Sequence, residues 1–202
     1  VQAVVMEMRA EGLPVHADNP LRSSTGVTLL NLMRTVIEGP GDRFFSACVN
    51  IGTRRVRKSV FRNLAPGEAI AAEDVERLLR DWVEGSDEST PSIEAMKVFF
   101  QAIDTAREDV RTDPPRHVLD HLVSDLALPR RATGHPREDE LHGAIALGME
   151  VARRLGDEVT GVDAWRNVIT ELEELRQGND SVSDAVSAIT VHRSKGLEFD
   201  HV

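Results

Sequence analysis

The stretch PSIEAMKVFFQAIDTARED, residues 91–109, carries the clearest structural signal in the chain. Five large apolar side chains recur in it at helical spacing and fall on one face of a helix. These five are Ile93, Met96, Phe99, Phe100 and Ile103. Pro91 stands at the expected first turn, where a helix tolerates proline. The stretch therefore predicts an amphipathic helix that packs one face against a core.

The same periodicity continues on both sides of this stretch. It predicts further helices over residues 26–39, 71–85, 115–127, 137–155 and 163–176. Each helix is expected to bury one apolar face. In the order of the five ranges, these faces are Leu29, Leu32, Met33 and Ile37; Val75, Leu78, Leu79 and Trp82; Val118, Leu119, Leu122, Val123 and Leu126; Leu141, Ile145, Met149, Ala152 and Leu155; and Trp165, Val168, Ile169, Leu172 and Leu175. We expect Asp163 to cap the last helix. The chain is thus predicted to be mainly α.

Length and composition set the broad class. The chain has 202 residues, of which 41% are apolar and 29% charged, a balance typical of a folded globular protein. No apolar run approaches the roughly 18 residues that a membrane-spanning helix needs, so we expect no membrane partner. Cys48 is the single cysteine, which excludes a disulfide framework and fits a cytoplasmic location.

The net charge of −10, taken alone, argues against binding to nucleic acid. The charge is unevenly distributed, because residues 41–63 hold six basic side chains against one acid. That segment has a net charge of +5, which leaves −15 for the rest. Four of its basic residues are Arg54, Arg55, Arg57 and Lys58. Two interpretations stay open: contact with duplex phosphates, or a solvated basic face that pairs with the acidic remainder.

The last residues of the chain change in character. Residues 185–192, AVSAITVH, are short, β-branched and alternating, which predicts a strand. The following loop holds Ser194, Lys195 and Gly196. A hydroxyl, a positive charge and a backbone without a Cβ suit close approach to a phosphate. Glu198 supplies an acceptor for a ribose hydroxyl or a basic neighbour.

This stretch, ITVHRSKGLEFDHV, resembles motif V of the UvrD/Rep/PcrA family of superfamily-one DNA helicases. The family pattern is roughly T-[ILV]-H-x-[AS]-K-G-L-E-F, and nine positions between Thr190 and Phe199 fit it. Two earlier stretches, RAEGLPVHA (9–17) and LLNLMRTVIEGPGDRFFSACVN (29–50), also resemble the family. Between residues 64 and 160 the resemblance lies only in the helical architecture.

The resemblance implies a mainly α fold: a helical 2B-type insertion domain with a small β element from the flanking RecA-like 2A core at the two chain ends. Residues 1–20 would end domain 2A, residues 21–184 would form the 2B insertion, and residues 185–202 would return to 2A with motif V. The strands near Val15 and Thr190 should then come together, because an insertion leaves and re-enters its host at neighbouring points.

The resemblance also assigns roles within motif V. Thr190, His192, Ser194 and Lys195 would face single-stranded DNA, and Gly196 and Glu198 would face ATP. The chain departs from the family in the basic segment. Where the family has a glycine-rich turn that touches duplex phosphates, this chain has Arg55-Val56-Arg57.

The chain lacks the phosphate-binding loop G-x-x-x-x-G-K-[ST] and a recognisable acidic motif for Mg²⁺. We therefore expect no catalytic residue in these 202 residues, no cofactor bound to them alone, and ATP and Mg²⁺ in a longer parent protein. The resemblance implies a DNA helicase that moves 3′-to-5′ on single strands and unwinds duplex. Expected partners are DNA, the rest of the helicase core, and repair or recombination proteins.

Two alternatives stay open. One is the helicase subunit of a recombination helicase–nuclease, and the other is a non-catalytic helical module that binds DNA or protein. His117 and His121 stand at i and i+4, which suits a metal, but no third ligand has helpful spacing. We therefore expect a surface pair and no metal site.

Overall fold

The computed structural model describes residues 15–17, 19–39, 72–86, 90–128, 138–178 and 186–188. This part of the chain is mainly helical, as predicted. Its six α-helices are α1 (Ser24–Glu38), α2 (Ala72–Glu84), α3 (Pro91–Asp109), α4 (Pro115–Asp125), α5 (Glu138–Leu155) and α6 (Val162–Gln177). A short 3-10 helix, Pro20–Arg22, precedes α1. None of the described helices has the length and apolar character needed to cross a membrane.

Helix α1 begins in a tight turn that leaves the 3-10 helix. The Ser23 hydroxyl accepts a hydrogen bond from the Gly26 N–H at 3.0 Å and caps the helix. Gly26 lies so close to the turn that a Cβ would stand 2.2 Å from the carbonyl oxygen of Pro20. The turn therefore needs glycine at this position. The helix ends at Glu38, and the residue that caps it, Gly39, has a φ of 73° that also favours glycine.

Helices α3 and α4 bury the faces that their periodicity predicts. Pro91 occupies the first turn of α3, and the Thr90 hydroxyl accepts a hydrogen bond from the Ile93 N–H at 3.4 Å. All five predicted apolar side chains of each helix are buried. The two helices pack against each other, while α3 also contacts α1 and α4 also contacts α5.

Helix α2 packs against α3 and buries a slightly different stripe from the predicted one. Val75 and Leu79 are buried, as expected, and Val83 joins them. Leu78 and Trp82 are only partly buried. The buried face of α2 is therefore rotated toward Val83 relative to the prediction.

Helix α5 buries a different face from the predicted one. Four of the five expected side chains are only partly buried: Leu141, Ile145, Met149 and Leu155. The buried side chains are Ala144, Leu147, Val151 and the predicted Ala152. Gly148 shows the reason, because a Cβ there would lie 3.1 Å from a methyl group of Leu119 on α4. Small residues let α5 approach its neighbours closely. A prediction from hydrophobic periodicity follows the large apolar side chains and therefore overlooks a face made of small ones.

Asp163 does not cap α6, contrary to the prediction. The N-cap is Gly161, which has a φ of 95° and makes no side-chain capping hydrogen bond. Asp163 lies in the first turn, where a negative charge suits the helix dipole, and it pairs with Arg166. Trp165 is fully buried, as predicted, and its Nε1 donates a hydrogen bond to the Met33 carbonyl at 2.9 Å.

The described residues also contain a two-stranded parallel sheet. Strand β1 (Val15–Ala17) pairs with β2 (Val186–Ala188), and Val15 lies opposite Val186. The predicted strand over 185–192 is described only within β2. This pairing places residues from near the two ends of the sequence side by side, with the helices between them in the chain.

Candidate functional site

The motif V residues and the basic segment lie outside the described residues. This holds for Thr190, His192, Ser194, Lys195, Gly196 and Glu198, and equally for Arg54, Arg55, Arg57 and Lys58. Their assigned roles therefore stay predictions. The nearest described element is β2, whose last residue, Ala188, precedes Thr190 by two positions.

Near the strand pair, residues just after β1 bind the end of α6. The Asn19 Nδ2 donates a hydrogen bond to the Leu175 carbonyl at 2.7 Å. The Arg22 Nε donates to the Arg176 carbonyl at 2.9 Å, and a terminal nitrogen of the same guanidinium donates to the Gly178 carbonyl. We call these five residues the junction. The junction is not predictable from the sequence, because nothing in the local pattern around Asn19 signals contact with residues more than 150 positions away.

The Asn19 side chain serves two elements at once. Its Oδ1 accepts a hydrogen bond from the Leu21 N–H at 3.0 Å and caps the 3-10 helix, while its Nδ2 binds α6. Arg22 brings a positive charge to the C-terminal end of α6, where the helix dipole favours a cation. The junction therefore supplies donors to carbonyls that a helix leaves without an internal partner.

A second arrangement, the Glu76 cluster, joins α2, α3 and α1 through charged side chains. It consists of Glu76, Arg80, Asp104 and Arg107. Arg80 donates to Glu76 at 2.7 and 2.9 Å, and Arg107 donates to Glu76 at 2.9 and 3.0 Å. Arg80 also donates to both oxygens of Asp104, at 2.7 and 3.0 Å. Arg107 reaches the backbone carbonyl of Thr35 on α1 at 3.3 Å.

Glu76 is only 7% exposed, so its charge needs these partners. Burial raises the pKa of Glu76, but the hydrogen bonds and positive charges of Arg107 and Arg80 outweigh burial and bring the pKa below its ordinary value. The Arg80 guanidinium also lies 4.3 Å from the ring centre of Phe100. The cluster is thus an internally paired network that ties three helices together.

An open cavity of about 580 Å³ lies beside this network, between α2 and α3. Its walls carry both charge signs, from Arg80 and Lys97 on one hand and from Glu84, Asp104 and Glu108 on the other. Arg80 and Asp104 bind each other at 2.7 Å, and Lys97 binds Glu94 at 3.1 Å. The lining therefore mixes charges that are largely engaged with one another or with neighbouring side chains.

One group of side chains among the described residues has the composition of a metal site. Asp109, Asp113 and His121 have ligand atoms within 4.8 Å of one another. The i, i+4 spacing groups His121 with His117, but the structure brings His121 to Asp109 and Asp113 across the α3–α4 turn. The His121 Nδ1 lies 3.2 Å from the Asp109 Oδ2, and this hydrogen bond accounts for the approach of His121 to Asp109.

No model of a known protein family matches the chain. None of the curated protein sequences matches it either.

Proposed function

We propose that the chain is part of an ATP-dependent DNA helicase of the UvrD/Rep/PcrA type, consisting of its helical 2B-type insertion and motif V. The observation that carries this proposal is the run from Thr190 to Phe199, in which nine positions fit the motif V pattern. A contiguous run of this length is far more specific than a pair of residues at helical spacing. We propose ATP and Mg²⁺ as the cofactors, held by the parent protein outside these residues.

The described fold supports the proposal in one respect. An insertion domain needs a host whose strands lie next to each other where the chain leaves and returns. Strands β1 and β2 are parallel neighbours, and the helices lie between them in the sequence. In the proposal, this strand pair is the edge of the RecA-like 2A core, and β2 leads directly into motif V.

Within this proposal each side of motif V has its own task. Thr190, His192, Ser194 and Lys195 hold the single-stranded DNA, and Gly196 and Glu198 face the nucleotide. Lys195 and Gly196 are consecutive, so in this proposal a change at the nucleotide alters the grip on DNA. The basic residues Arg54, Arg55, Arg57 and Lys58 contact the phosphates of the duplex ahead.

The proposed function also implies a substrate, partners and a location for the protein. A helicase of this kind works on DNA with a single-stranded region, together with the rest of its core and with repair or recombination proteins. A single cysteine and a DNA substrate both fit the reducing cytoplasm, which is where we place the protein.

The test is an assay of the full-length protein for DNA-stimulated ATP hydrolysis and for unwinding of a duplex with a 3′ single-stranded tail. Glu198→Gln should lower kcat by about tenfold or more, because it alters a residue facing the nucleotide. Asp200→Asn, just beyond the motif, is the matched control and should keep the wild-type rate. ATP hydrolysis that DNA does not stimulate would overturn the proposal.

The coding sequence around the chain separates the two alternatives from this proposal. A nuclease domain downstream would indicate the helicase subunit of a helicase–nuclease. A reading frame without a phosphate-binding loop upstream would indicate a non-catalytic module, and absence of DNA binding at low salt would make it a protein-binding one.

A further inference from the structure

The end of α6 receives its capping groups from the opposite end of the sequence. Helices commonly end in a glycine or in donors from the residues that follow them. Here Gly178 closes the last turn with its own N–H, which donates to the Glu174 carbonyl at 2.8 Å. The carbonyls of Leu175, Arg176 and Gly178 instead receive donors from Asn19 and Arg22.

These donors stand close to the strand pair along the chain. Asn19 follows the last residue of β1 by two positions, and Gly178 precedes the first residue of β2 by eight. The incoming and outgoing segments are therefore linked twice, once by the backbone ladder of β1 and β2 and once by the junction. Two links that close the same loop reinforce each other, since each lowers the entropy cost of forming the other.

We propose that Asn19 and Arg22 are positioning residues that couple the strand pair to the helices. When the junction is closed, α6 ends at a fixed place beside β1, and β2 is held in register with β1. When the junction opens, β2 loses its tether and the end of α6 loses its cap. The Arg22 guanidinium suits this task, because its planar fork reaches two carbonyls of one helix end.

The coupling also affects the position of motif V, an inference that rests on the proposed function. Strand β2 ends two positions before Thr190, so a residue that fixes β2 also constrains the chain that leads into the proposed motif V. Arg22 would then tie the position of the helical insertion to motif V without touching DNA or ATP.

The test is amide hydrogen exchange on the 202-residue chain, read at Val186–Ala188 and at helix α3. In Asn19→Ala and Arg22→Met, exchange at Val186–Ala188 should become about tenfold faster, equivalent to about 1.4 kcal/mol, because each variant removes side-chain hydrogen bonds. Exchange in α3 should keep its wild-type rate. Arg22→Lys, which keeps the charge but has no fork, should give an intermediate rate.

A matched control is Arg166→Met, which removes an arginine of α6 whose guanidinium binds nearby Asp163. It should leave exchange at Val186–Ala188 unchanged. Coupling is reciprocal, so Ser187→Pro, which weakens β2, should also speed exchange of the Gly178 amide. Unchanged exchange at β2 in Arg22→Met, or an equal increase throughout α3, would overturn the coupling.

The exchange measurement uses neither DNA nor nucleotide, so it decides the coupling even if the chain is no helicase. In an active full-length protein, Arg22→Met should lower kcat for DNA-stimulated ATP hydrolysis several-fold and leave the KM for ATP unchanged. A changed KM with a wild-type kcat would contradict the link to motif V while leaving the exchange result intact.

Discussion

The indole Nε1 of Trp165 donates a hydrogen bond to the backbone carbonyl of Met33 at 2.9 Å, inside the core. Trp165 lies on α6 and Met33 on α1, and both side chains are 0% exposed. The contact joins two helices that are far apart in the sequence through the largest side chain of the core.

Trp165→Phe should therefore destabilise the chain. The change removes the hydrogen bond to Met33 and leaves space where the larger ring was, and together these should lower the free energy of unfolding by about 2–3 kcal/mol. Urea denaturation followed by circular dichroism measures it. Trp82→Phe is the matched control, since Trp82 is only partly buried, and it should cost less than about 1 kcal/mol. Equal losses in both variants would contradict the assignment of Trp165 as a core anchor.

Glu76→Gln should lower the free energy of unfolding by about 3 kcal/mol. The substitution keeps the shape but removes the charge that Arg80 and Arg107 share, and breaking a buried ion pair by removing one partner is costly. The control is Asp74→Asn on the same helix, because Asp74 pairs with Arg77 at the exposed surface and should contribute about 0.5 kcal/mol or less. A loss in Glu76→Gln no larger than in the control would contradict the structural role of the cluster.

The same carboxylate should make stability depend on acid pH. The folded-state pKa of Glu76 lies below the ordinary value of 4.5, so the unfolded chain takes up this proton first as the pH falls. Its contribution is fully present above pH 4.5 and is lost as the pH falls through the folded-state pKa. The stability difference between wild type and Glu76→Gln should therefore shrink below pH 4.5. A difference that stays constant from pH 7 to pH 3 would contradict the lowered pKa.

Gly26→Ala should destabilise the turn into α1. A Cβ at Gly26 would lie 2.2 Å from the Pro20 carbonyl oxygen and 2.5 Å from the Leu21 Cα. Both are backbone atoms, which cannot move aside as the end of a flexible side chain can. We expect a loss of about 3 kcal/mol from overpacking, measured as a lower urea midpoint. Gly148→Ala is the control, because its nearest contact is a movable methyl group of Leu119 at 3.1 Å. Alanine favours the helix there, so that variant should change stability by less than about 1 kcal/mol.

The basic segment, residues 41–63, is predicted to contribute to duplex DNA binding. Replacing Arg54, Arg55, Arg57 and Lys58 with alanine should weaken duplex binding and reduce the slope of log K against log salt by up to about 3.6, since fewer counterions are released. Titrations at several salt concentrations measure the slope.

The control for this experiment replaces four arginines that pair with carboxylates: Arg77, Arg153, Arg154 and Arg166. It removes the same charge and should leave the slope unchanged. An unchanged slope in the basic-segment variant would show that this segment forms a solvated face.

Local patterns predicted most of the helices well. The proline at the start of α3 and its five apolar positions fix both its bounds and its buried face, because helix start signals and periodicity agree there. The face of α5 was predicted wrongly, since close helix packing selects the small residues Ala144 and Gly148. Large side chains such as Ile145 then lie at the margin.

The contacts of the candidate sites depend on information that local patterns lack. Asn19 and Arg22 resemble ordinary turn residues, and their partners at the end of α6 follow from the tertiary fold. Glu76 lies on an amphipathic helix whose acids Asp74, Asp81 and Glu84 are more exposed. Its burial depends on the approach of Arg107 from another helix, which the sequence of α2 does not contain.

The Trp165–Met33 contact also sets a condition on folding during synthesis. The two residues are 132 positions apart, so α1 emerges from the ribosome long before its core partner exists. At about 5–20 residues per second, the interval is roughly 7–26 seconds. During this interval the apolar face of α1 lacks the Trp165 side chain that covers it in the folded chain. Long-range contacts of this kind slow folding. The core that the structure describes can close only when α6 has been made.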